Sequence, residues 1–161
     1  MKPLTKIKLC IWIIITGLVL SGLSAFPLET ELGILNNHIS ITNPFYHWIN
    51  SVYNAVKITN RQFPYLSYGT DWLAFAHMVI AMVFIGPLKD PVKNIWVIEF
   101  GMIACIAIFP LALIAGALRG IPFYWRLIDC SFGVIGFIPL YYCWVNIKKL
   151  SLKCAVGATA L

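Results

Sequence analysis

The sequence predicts an all-α, polytopic membrane protein, a bundle of four transmembrane helices with one amphipathic helix on the extracytoplasmic side. Hydrophobic residues make up 60% of the 161 residues and charged residues only 11%, whereas a soluble domain has about 25% charged residues. The apolar residues form long runs, each about long enough to cross a hydrocarbon core of ~30 Å. Within one predicted domain, 1–161, these runs are 9–26, 71–88, 95–118 and 127–147.

Two interpretations fit the first apolar run, 9–26, which follows a short tail with three lysines. Gly22 and Ser24 are small residues at the spacing of a cleavage site, so a signal peptide is one interpretation. The run is long for the apolar core of a signal peptide. We therefore expect a retained first helix.

The segment 27–70 is the one long polar stretch, and we expect it on the outer side. Asn43 and Pro44 predict the start of a helix, because proline is favoured at the first helical position. The residues that follow place apolar side chains at helical spacing, which predicts an amphipathic helix on the membrane surface or over the bundle. Residues 61–69, rich in tyrosine, are predicted to connect this helix to the second span.

The distribution of basic residues predicts the orientation of the chain. The N-terminal tail, the turn 89–94 and the C-terminal tail carry three, two and three lysines, while the opposite side carries Lys57 and three arginines. Basic residues are enriched in cytoplasmic loops. We therefore expect a cell (inner) membrane protein with both termini in the cytoplasm.

Charged residues concentrate around the turn 119–126, at the joint between the third and fourth spans. Asp71 opens the second span at its outer end, and Arg119 ends the third. Arg126 and Asp129 flank the outer start of the fourth span and, three residues apart, can pair on one helix face. One interpretation is two arginine–aspartate ion pairs that lock the helix ends together. The other is a binding role for the arginines, whose planar groups suit carboxylates.

Aromatic residues at the same level favour the binding role, since aromatic walls with a few polar groups are typical of ligand sites. Belts of Trp and Tyr are also ordinary at membrane interfaces. The residues expected to contact the ligand are Arg119, Arg126, Trp72, Tyr124 and Trp125.

His77 lies six residues into the second span, roughly 9 Å below Asp71 at 1.5 Å per residue. It is either hydrogen-bonded to a neighbouring helix or a proton carrier beneath the charged cluster. If the protein is an enzyme, His77, Asp71 and Asp129 are the candidates for proton transfer.

Two further features concern helix packing. Small residues in the third and fourth spans, Gly116 and Gly133 among them, predict seams where helices approach closely, and Gly133 also leaves room for a ligand beside Asp129. Glu99 stands one turn inside the third span, where we expect it to pair with Lys89 or Lys93.

Several classes of function lack their sequence signatures. The five cysteines form no CxxC pair and no zinc-ligand spacing, so we predict no metal and no cofactor. The lysines stand at the ends of apolar runs rather than on a basic surface helix, which indicates a lipid bilayer and not nucleic acid as the partner. No Walker A, GxSxG or HExxH motif is present.

Two hypotheses of function follow. The first is a small multi-pass membrane protein whose outward-facing polar and aromatic site binds an anionic or lipid-like small molecule, with a membrane-embedded enzyme as one form of it. The alternative is a non-catalytic subunit or assembly factor of a larger membrane complex, in which the amphipathic segment contacts a membrane-protein partner. An open polar cavity favours the first hypothesis, and charges fully paired with each other favour the second.

Overall fold

The computed structural model describes residues 3–158, with side chains from 4 to 152. Lys2 lies outside the described residues, as do the side chains of Lys153 and Cys154. Helices make up 87% of the described chain, which forms no strand. The helices are α1 (Pro3–Ala25), α2 (Leu28–His38), α3 (Tyr46–Gln62), α4 (Pro64–Val83), α5 (Ile85–Lys89), α6 (Ile95–Pro110), a π-helical turn (Leu111–Ala115), α7 (Gly116–Leu118) and α8 (Phe123–Ala158).

Four helical stretches of the described chain are long and apolar enough to cross a membrane, which confirms the number predicted. The stretches are Leu4–Ala25, Pro64–Lys89, Ile95–Leu118 and Phe123–Leu152. The first, second and fourth begin earlier than the sequence predicts. Helix formation continues into the polar flanks, where hydropathy falls but nothing breaks the backbone hydrogen bonding.

The connection predicted at 61–69 is wrong. Helix α3 ends at Gln62, where the amide of Phe63 donates to the carbonyl of Thr59 over 2.7 Å, and α4 begins at once with Pro64. Proline fits the first position of a helix because its missing N–H has no partner there anyway. Asp71 therefore lies in the second turn of α4 and does not open it.

The segment 27–70 holds two helices before α4, and α2 packs against α3. A Cβ added to Gly33 would stand 3.2 Å from the ring of Tyr53, so the two helices approach closely at this glycine. The predicted helix start at Asn43 and Pro44 is two residues too early. The side chain of Asn43 accepts a hydrogen bond from the amide of Phe45 over 2.9 Å, which fixes a turn before α3.

The predicted turn at 89–94 is confirmed, between α5 and α6. Asp90 accepts from the amide of Lys93 over 3.0 Å, and the side-chain amide of Asn94 donates to the carbonyls of Gly86 and Asp90. The first bond gives the amide of Lys93 a partner, and the Asn94 side chain adds a second donor to two carbonyls that already accept from the amides of Asp90 and Asn94.

The third span changes its winding directly after Pro110. The amide of Gly116 donates to the carbonyl of Leu111, five residues earlier, which defines the π-helical turn. A π turn holds one residue more than an α turn and occurs frequently at functional sites.

The chain divides into two compact units. Unit 1 comprises the described residues up to Thr16 and from Ala81 onward, and unit 2 comprises Gly17–Ile80. In unit 1, α6 packs along α8, and a Cβ added to Gly101 would stand 2.9 Å from Phe84 and 3.0 Å from Leu140. The core of unit 1 includes Ile7, Ile11, Phe84, Val97, Ile98, Leu140, Cys143 and Ile147.

In unit 2, the end of α1 packs against α4 through small residues. A Cβ added to Gly22 would stand 2.9 Å from the carbonyl oxygen of Ala74 and 3.2 Å from the Cβ of His77. Ala74 is fully buried. Small residues at such a contact allow two helices to approach this closely.

Candidate functional site

The predicted charged cluster is distributed over both units. Arg119, Arg126 and Asp129 belong to unit 1, together with Tyr124 and Trp125. The other members, Asp71, Trp72 and His77, belong to α4 in unit 2. Each group therefore lies among the residues of its own unit.

Arg126 makes the most specific contact of the cluster in unit 1. It lies in the first turn of α8, and its Nη1 donates to the carbonyl oxygen of Leu113, in the π-helical turn, over 3.3 Å. Its guanidinium carbon lies 5.3 Å from the ring centroid of Phe123. The Nε atom is buried and has no hydrogen-bond partner. A buried N–H without a partner costs about 1–3 kcal/mol, whereas the Nη atoms are at the exposed end of the side chain, where further N–H donors can meet an acceptor.

Gly116 makes room for the Arg126 side chain. A Cβ added at this glycine would stand 2.8 Å from Cδ and 2.9 Å from Cγ of Arg126. The arginine stem therefore crosses the third span where that helix has no side chain. The sequence predicts Gly116 as a helix-packing residue, and the structure shows that the element packed on it is this arginine.

The predicted ion pair between Arg126 and Asp129 is not formed. Among the described residues, the ion pair within 4 Å joins Lys148 to Glu99. Asp129 is half-buried on α8. Arg126 reaches away from it toward the π-helical turn, which offers a backbone acceptor that the sequence pattern does not reveal.

Arg119 and the two aromatic residues complete this part of unit 1. Arg119 is exposed in the turn between α7 and α8, while Tyr124 and Trp125 are half-buried in the first turn of α8. The turn reverses at Gly120, whose φ of 68° is favourable for glycine. These residues lie close along the chain to Arg126. Their predicted contacts with a ligand remain predictions.

An apolar groove runs between α6 and α8. Its volume is about 220 Å³ and its surface is almost entirely apolar. Gly133 forms its floor, because a Cβ there would stand 2.7 Å from the carbonyl oxygen of Cys105. The groove is lined by Cys105, Ile106, Phe109, Gly133, Val134, Phe137 and Ile138.

Arg126 and this groove lie on one face of α8. Gly133 follows Arg126 by seven residues, which is about two helical turns, roughly 10 Å along the axis and nearly the same direction around it. Both face the third span, because Arg126 contacts Gly116 and Gly133 contacts Cys105. A cationic group thus stands about two turns from an apolar groove on the same seam.

In unit 2, Trp72 and His77 project from different parts of α4. Trp72 is exposed and makes edge-to-face contacts with Tyr68 and Phe75, at 6.0 and 5.8 Å between ring centroids. His77 donates from Nδ1 to the carbonyl of Leu73 over 2.8 Å. This bond leaves Nε2 as the ring nitrogen available for proton transfer. The predicted role of His77 in proton transfer remains a prediction.

Asp71 lines a cavity within unit 2. The cavity has a volume of about 460 Å³ and opens between the start of α2, the second half of α3 and the start of α4. Its polar lining comes from Glu29, Thr30, Thr59, Asn60, Ser67, Thr70 and Asp71, and its apolar lining from Phe26, Pro27, Leu28, Ala55, Val56 and Leu66.

A hydrogen-bonded chain connects three walls of this cavity. The side-chain amide of Asn60 donates to Oε2 of Glu29 over 2.6 Å, and the hydroxyl of Ser67 donates to Oδ1 of Asn60. The hydroxyl of Thr70 donates to the carbonyl of Ser67 over 2.6 Å. Glu29 and Asn60 are 31 residues apart, and no spacing in the sequence predicts that they meet.

Glu99 has different partners from those predicted. Trp144 donates from Nε1 to Oε1 of Glu99 over 2.9 Å, and Nζ of Lys148 lies 3.8 Å from the same oxygen. The ammonium of Lys148 also lies 5.6 Å from the ring centroid of Trp144. The prediction of Lys89 or Lys93 is wrong, because α6 packs along α8 and brings these side chains closer.

No protein-family model, curated protein or solved structure matches this chain. The fold defines the class of protein: an all-helical chain with four helices long and apolar enough to span a membrane. Within the described residues no group of three or more His, Cys, Asp and Glu side chains is placed to hold a metal ion.

Proposed function

We propose that the protein is a multi-pass membrane protein that binds an anionic amphiphile, with the head on Arg126 and the apolar body in the α6–α8 groove. The observation that carries the proposal is the placement of a half-buried arginine, whose Nε has no hydrogen-bond partner, on the same helix seam as an apolar groove. A carboxylate or phosphate is the natural partner of such a group, since arginine binds both through paired N–H donors.

The membrane setting supports a lipid-like ligand. The span-length helices expose many large apolar side chains, for example Ile103, Leu111, Ile114 and Ile135, each more than 60% exposed. Such surfaces are stable in lipid and would drive aggregation in water. We propose that both termini are cytoplasmic and that Arg119 and Arg126 lie near the outer surface of a cell membrane, because lysines concentrate in the tails and in the turn 89–94. Helix α3, with Ile49 buried and Lys57 half-exposed, then lies on that surface as an amphipathic helix.

The dimensions of the site favour a single apolar chain. Val134 and Ile138, which line the groove, follow Arg126 by eight and twelve residues, about 12 and 18 Å along the helix axis. An extended alkyl chain of moderate length covers this distance. The groove of about 220 Å³ is too small for two chains side by side.

Catalysis would require a proton donor or acceptor close to the head of the ligand. Asp129 follows Arg126 by three residues on α8 and forms no ion pair among the described residues. It is therefore the candidate in unit 1 for such a role. His77 and Asp71 are the corresponding candidates in unit 2.

The test measures binding of a radiolabelled long-chain fatty acid and, separately, of phosphatidic acid to the full chain in phosphatidylcholine nanodiscs. Arg126→Gln is expected to weaken binding at least about tenfold, because a charge-assisted hydrogen bond contributes about 1.5–3 kcal/mol. Arg119→Gln is expected to weaken it less, since Arg119 is exposed. Comparing the two probes identifies the head group.

A matched pair of variants tests the groove. Ile106 lines it and is 57% exposed, so Ile106→Trp fills the groove with little effect on packing. Ile103 is 66% exposed on the same helix and does not line it, so Ile103→Trp is the control. Binding should fall in the first variant only. If the wild-type chain binds neither probe, or if Arg126→Gln binds as well as wild type, the ligand-binding function is wrong. The alternative, a non-catalytic subunit of a membrane complex, is then preferred.

A further inference from the structure

The cavity of unit 2 is a second site, separate from the groove in unit 1 and of opposite chemistry. It contains two carboxylates, those of Glu29 and Asp71. Its lining includes residues directly after the first span-length helix and residues near the start of the second. We propose that this cavity binds the primary ammonium group of an amphiphilic amine. The proposal does not depend on the anionic site at Arg126.

The hydrogen-bond donors of the chain Glu29–Asn60–Ser67–Thr70 bond to acceptors of the protein itself. The Asn60 amide donates to Glu29, and the Ser67 hydroxyl donates to Asn60. The hydroxyl of Thr70 donates to a backbone carbonyl. Most of the remaining capacity is that of acceptors, since an ionised carboxylate offers about four lone-pair sites and only Oε2 of Glu29 is used in these bonds. The hydroxyls of Thr30 and Thr59 can donate or accept, so the two carboxylates decide the preference of the cavity for a ligand that donates.

The unit does not neutralise these carboxylates itself. Its lysine and arginine are Lys57 and Arg61, and in the described part of the unit neither lies within 4 Å of a carboxylate. Lys57 is placed instead over the ring of Tyr53, 5.3 Å from its centroid. Two carboxylates in a partly buried cavity without a cation attract a positive ligand.

The lining distinguishes between kinds of cation. A quaternary ammonium is bound by aromatic rings that surround it, and the one aromatic residue of this cavity is Phe26. A primary ammonium has three N–H donors, which suit the carboxylates of Glu29 and Asp71 and the hydroxyls beside them. The apolar wall of Leu28, Val56 and Leu66 suits an alkyl substituent. The volume of about 460 Å³ is within the range of small-molecule sites.

The experiment uses a dodecylamine with a photoreactive diazirine in its chain and the full-length protein in phosphatidylcholine nanodiscs. After illumination, the labelled peptides are identified by mass spectrometry. Labels are expected in the segments that line the cavity. Unlabelled dodecylamine should compete at least about tenfold more effectively than dodecyltrimethylammonium, which has the same chain and charge but no N–H donor.

Matched variants test the carboxylates and the cavity. Glu29→Gln and Asp71→Asn should each weaken labelling about tenfold or more, because each removes one charged acceptor. Glu31→Gln is the control, since Glu31 is an exposed acid of the same helix that does not line the cavity. Ala55→Trp fills the cavity and leaves both carboxylates in place, with Ser51→Trp, on the same helix outside the cavity, as its control. Thermal unfolding of each variant identifies any that fails to fold.

Three results would overturn the proposal: labels outside the cavity, equal competition by the quaternary analogue, or equal loss in Glu29→Gln and Glu31→Gln. The source of the amine is decided by replacing part of the phosphatidylcholine with phosphatidylethanolamine. Competition by that lipid identifies an aminophospholipid head group as the ligand, and its absence identifies a free amine. The fatty-acid measurements at Arg126 are separate, so either site can fail without the other.

Discussion

Gly133 of α8 lies so close to Cys105 of α6 that a Cβ on the glycine would stand 2.7 Å from the cysteine carbonyl oxygen. The same Cβ would stand 3.3 Å from the ring of Phe109. The nearest atom belongs to the backbone, which cannot rotate away as a side chain can. Helices α6 and α8 can approach this closely because α8 has no side chain at position 133.

Gly133→Ala is therefore expected to destabilise the protein by about 1–3 kcal/mol, the usual cost of overpacking. Gly17→Ala is the control, because nothing lies within 4 Å of a Cβ at that position and alanine favours a helix over glycine by about 1 kcal/mol. The measurement is thermal unfolding in detergent. Equal stability of the two variants would show that α6 and α8 do not pack as described.

Gly116→Ala is expected to act on ligand binding through Arg126. The added Cβ would stand 2.8 Å from Cδ and 2.9 Å from Cγ of the arginine, so the whole side chain has to shift. Moving it breaks the hydrogen bond to the carbonyl of Leu113. Binding of the fatty-acid probe should therefore fall nearly as far as in Arg126→Gln.

The double variant Gly116→Ala with Arg126→Gln separates this explanation from an indirect one. If the glycine acts through the arginine, the double variant should bind no more weakly than Arg126→Gln alone, because the two changes remove the same interaction. Additive losses of binding would contradict the interpretation that Gly116 acts by leaving space for the Arg126 side chain.

The cluster of Glu99, Trp144 and Lys148 is expected to contribute little to stability through its ion pair. The side chains of Lys148 and Glu99 are 52% and 41% exposed, and such pairs are typically worth 0–1 kcal/mol. Lys148→Met should lower the unfolding free energy by less than about 1 kcal/mol. Trp144→Phe, which removes the indole N–H, should cost about 1 kcal/mol.

A double-mutant cycle between Glu99→Gln and Lys148→Met measures their coupling directly. The sequence interpretation, in which Glu99 pairs with Lys89 or Lys93, predicts coupling to those lysines. The structure predicts coupling to Lys148 and none to Lys89 or Lys93. Coupling to either turn lysine would contradict the contact between α6 and α8 at this end.

The proposed orientation is tested by single cysteines introduced at Asn37 and Lys89 in a background without the five native cysteines. Both positions are exposed, in α2 and at the end of α5. A membrane-impermeant maleimide applied to intact cells should label position 37 and leave position 89 unlabelled until the cells are opened. Labelling of both positions from the same side would rule out the four-span topology.

The helices of the fold follow from the sequence more directly than its polar contacts do. Apolar runs long enough to span a membrane can be recognised from local composition, and all four predicted runs form helices. The start of α4 at Pro64 is missed because proline signals both a connection and a first helical turn. The hydrogen bond from Asn60 to Glu29 joins residues 31 positions apart, so no local pattern records it. The contact of Arg126 is missed because its acceptor is a backbone atom.

That acceptor lies in the π-helical turn after Pro110, with a consequence for how the protein can vary. A substitution at Leu113 changes the side chain but keeps the carbonyl oxygen in place. Adding one residue to Leu111–Ala115 would instead rotate the rest of the third span by about 100° relative to α6, because each helical residue turns the chain by that angle. The contact of Arg126 is therefore insensitive to the side chain at position 113, whereas an insertion in this stretch would move the acceptor away from it.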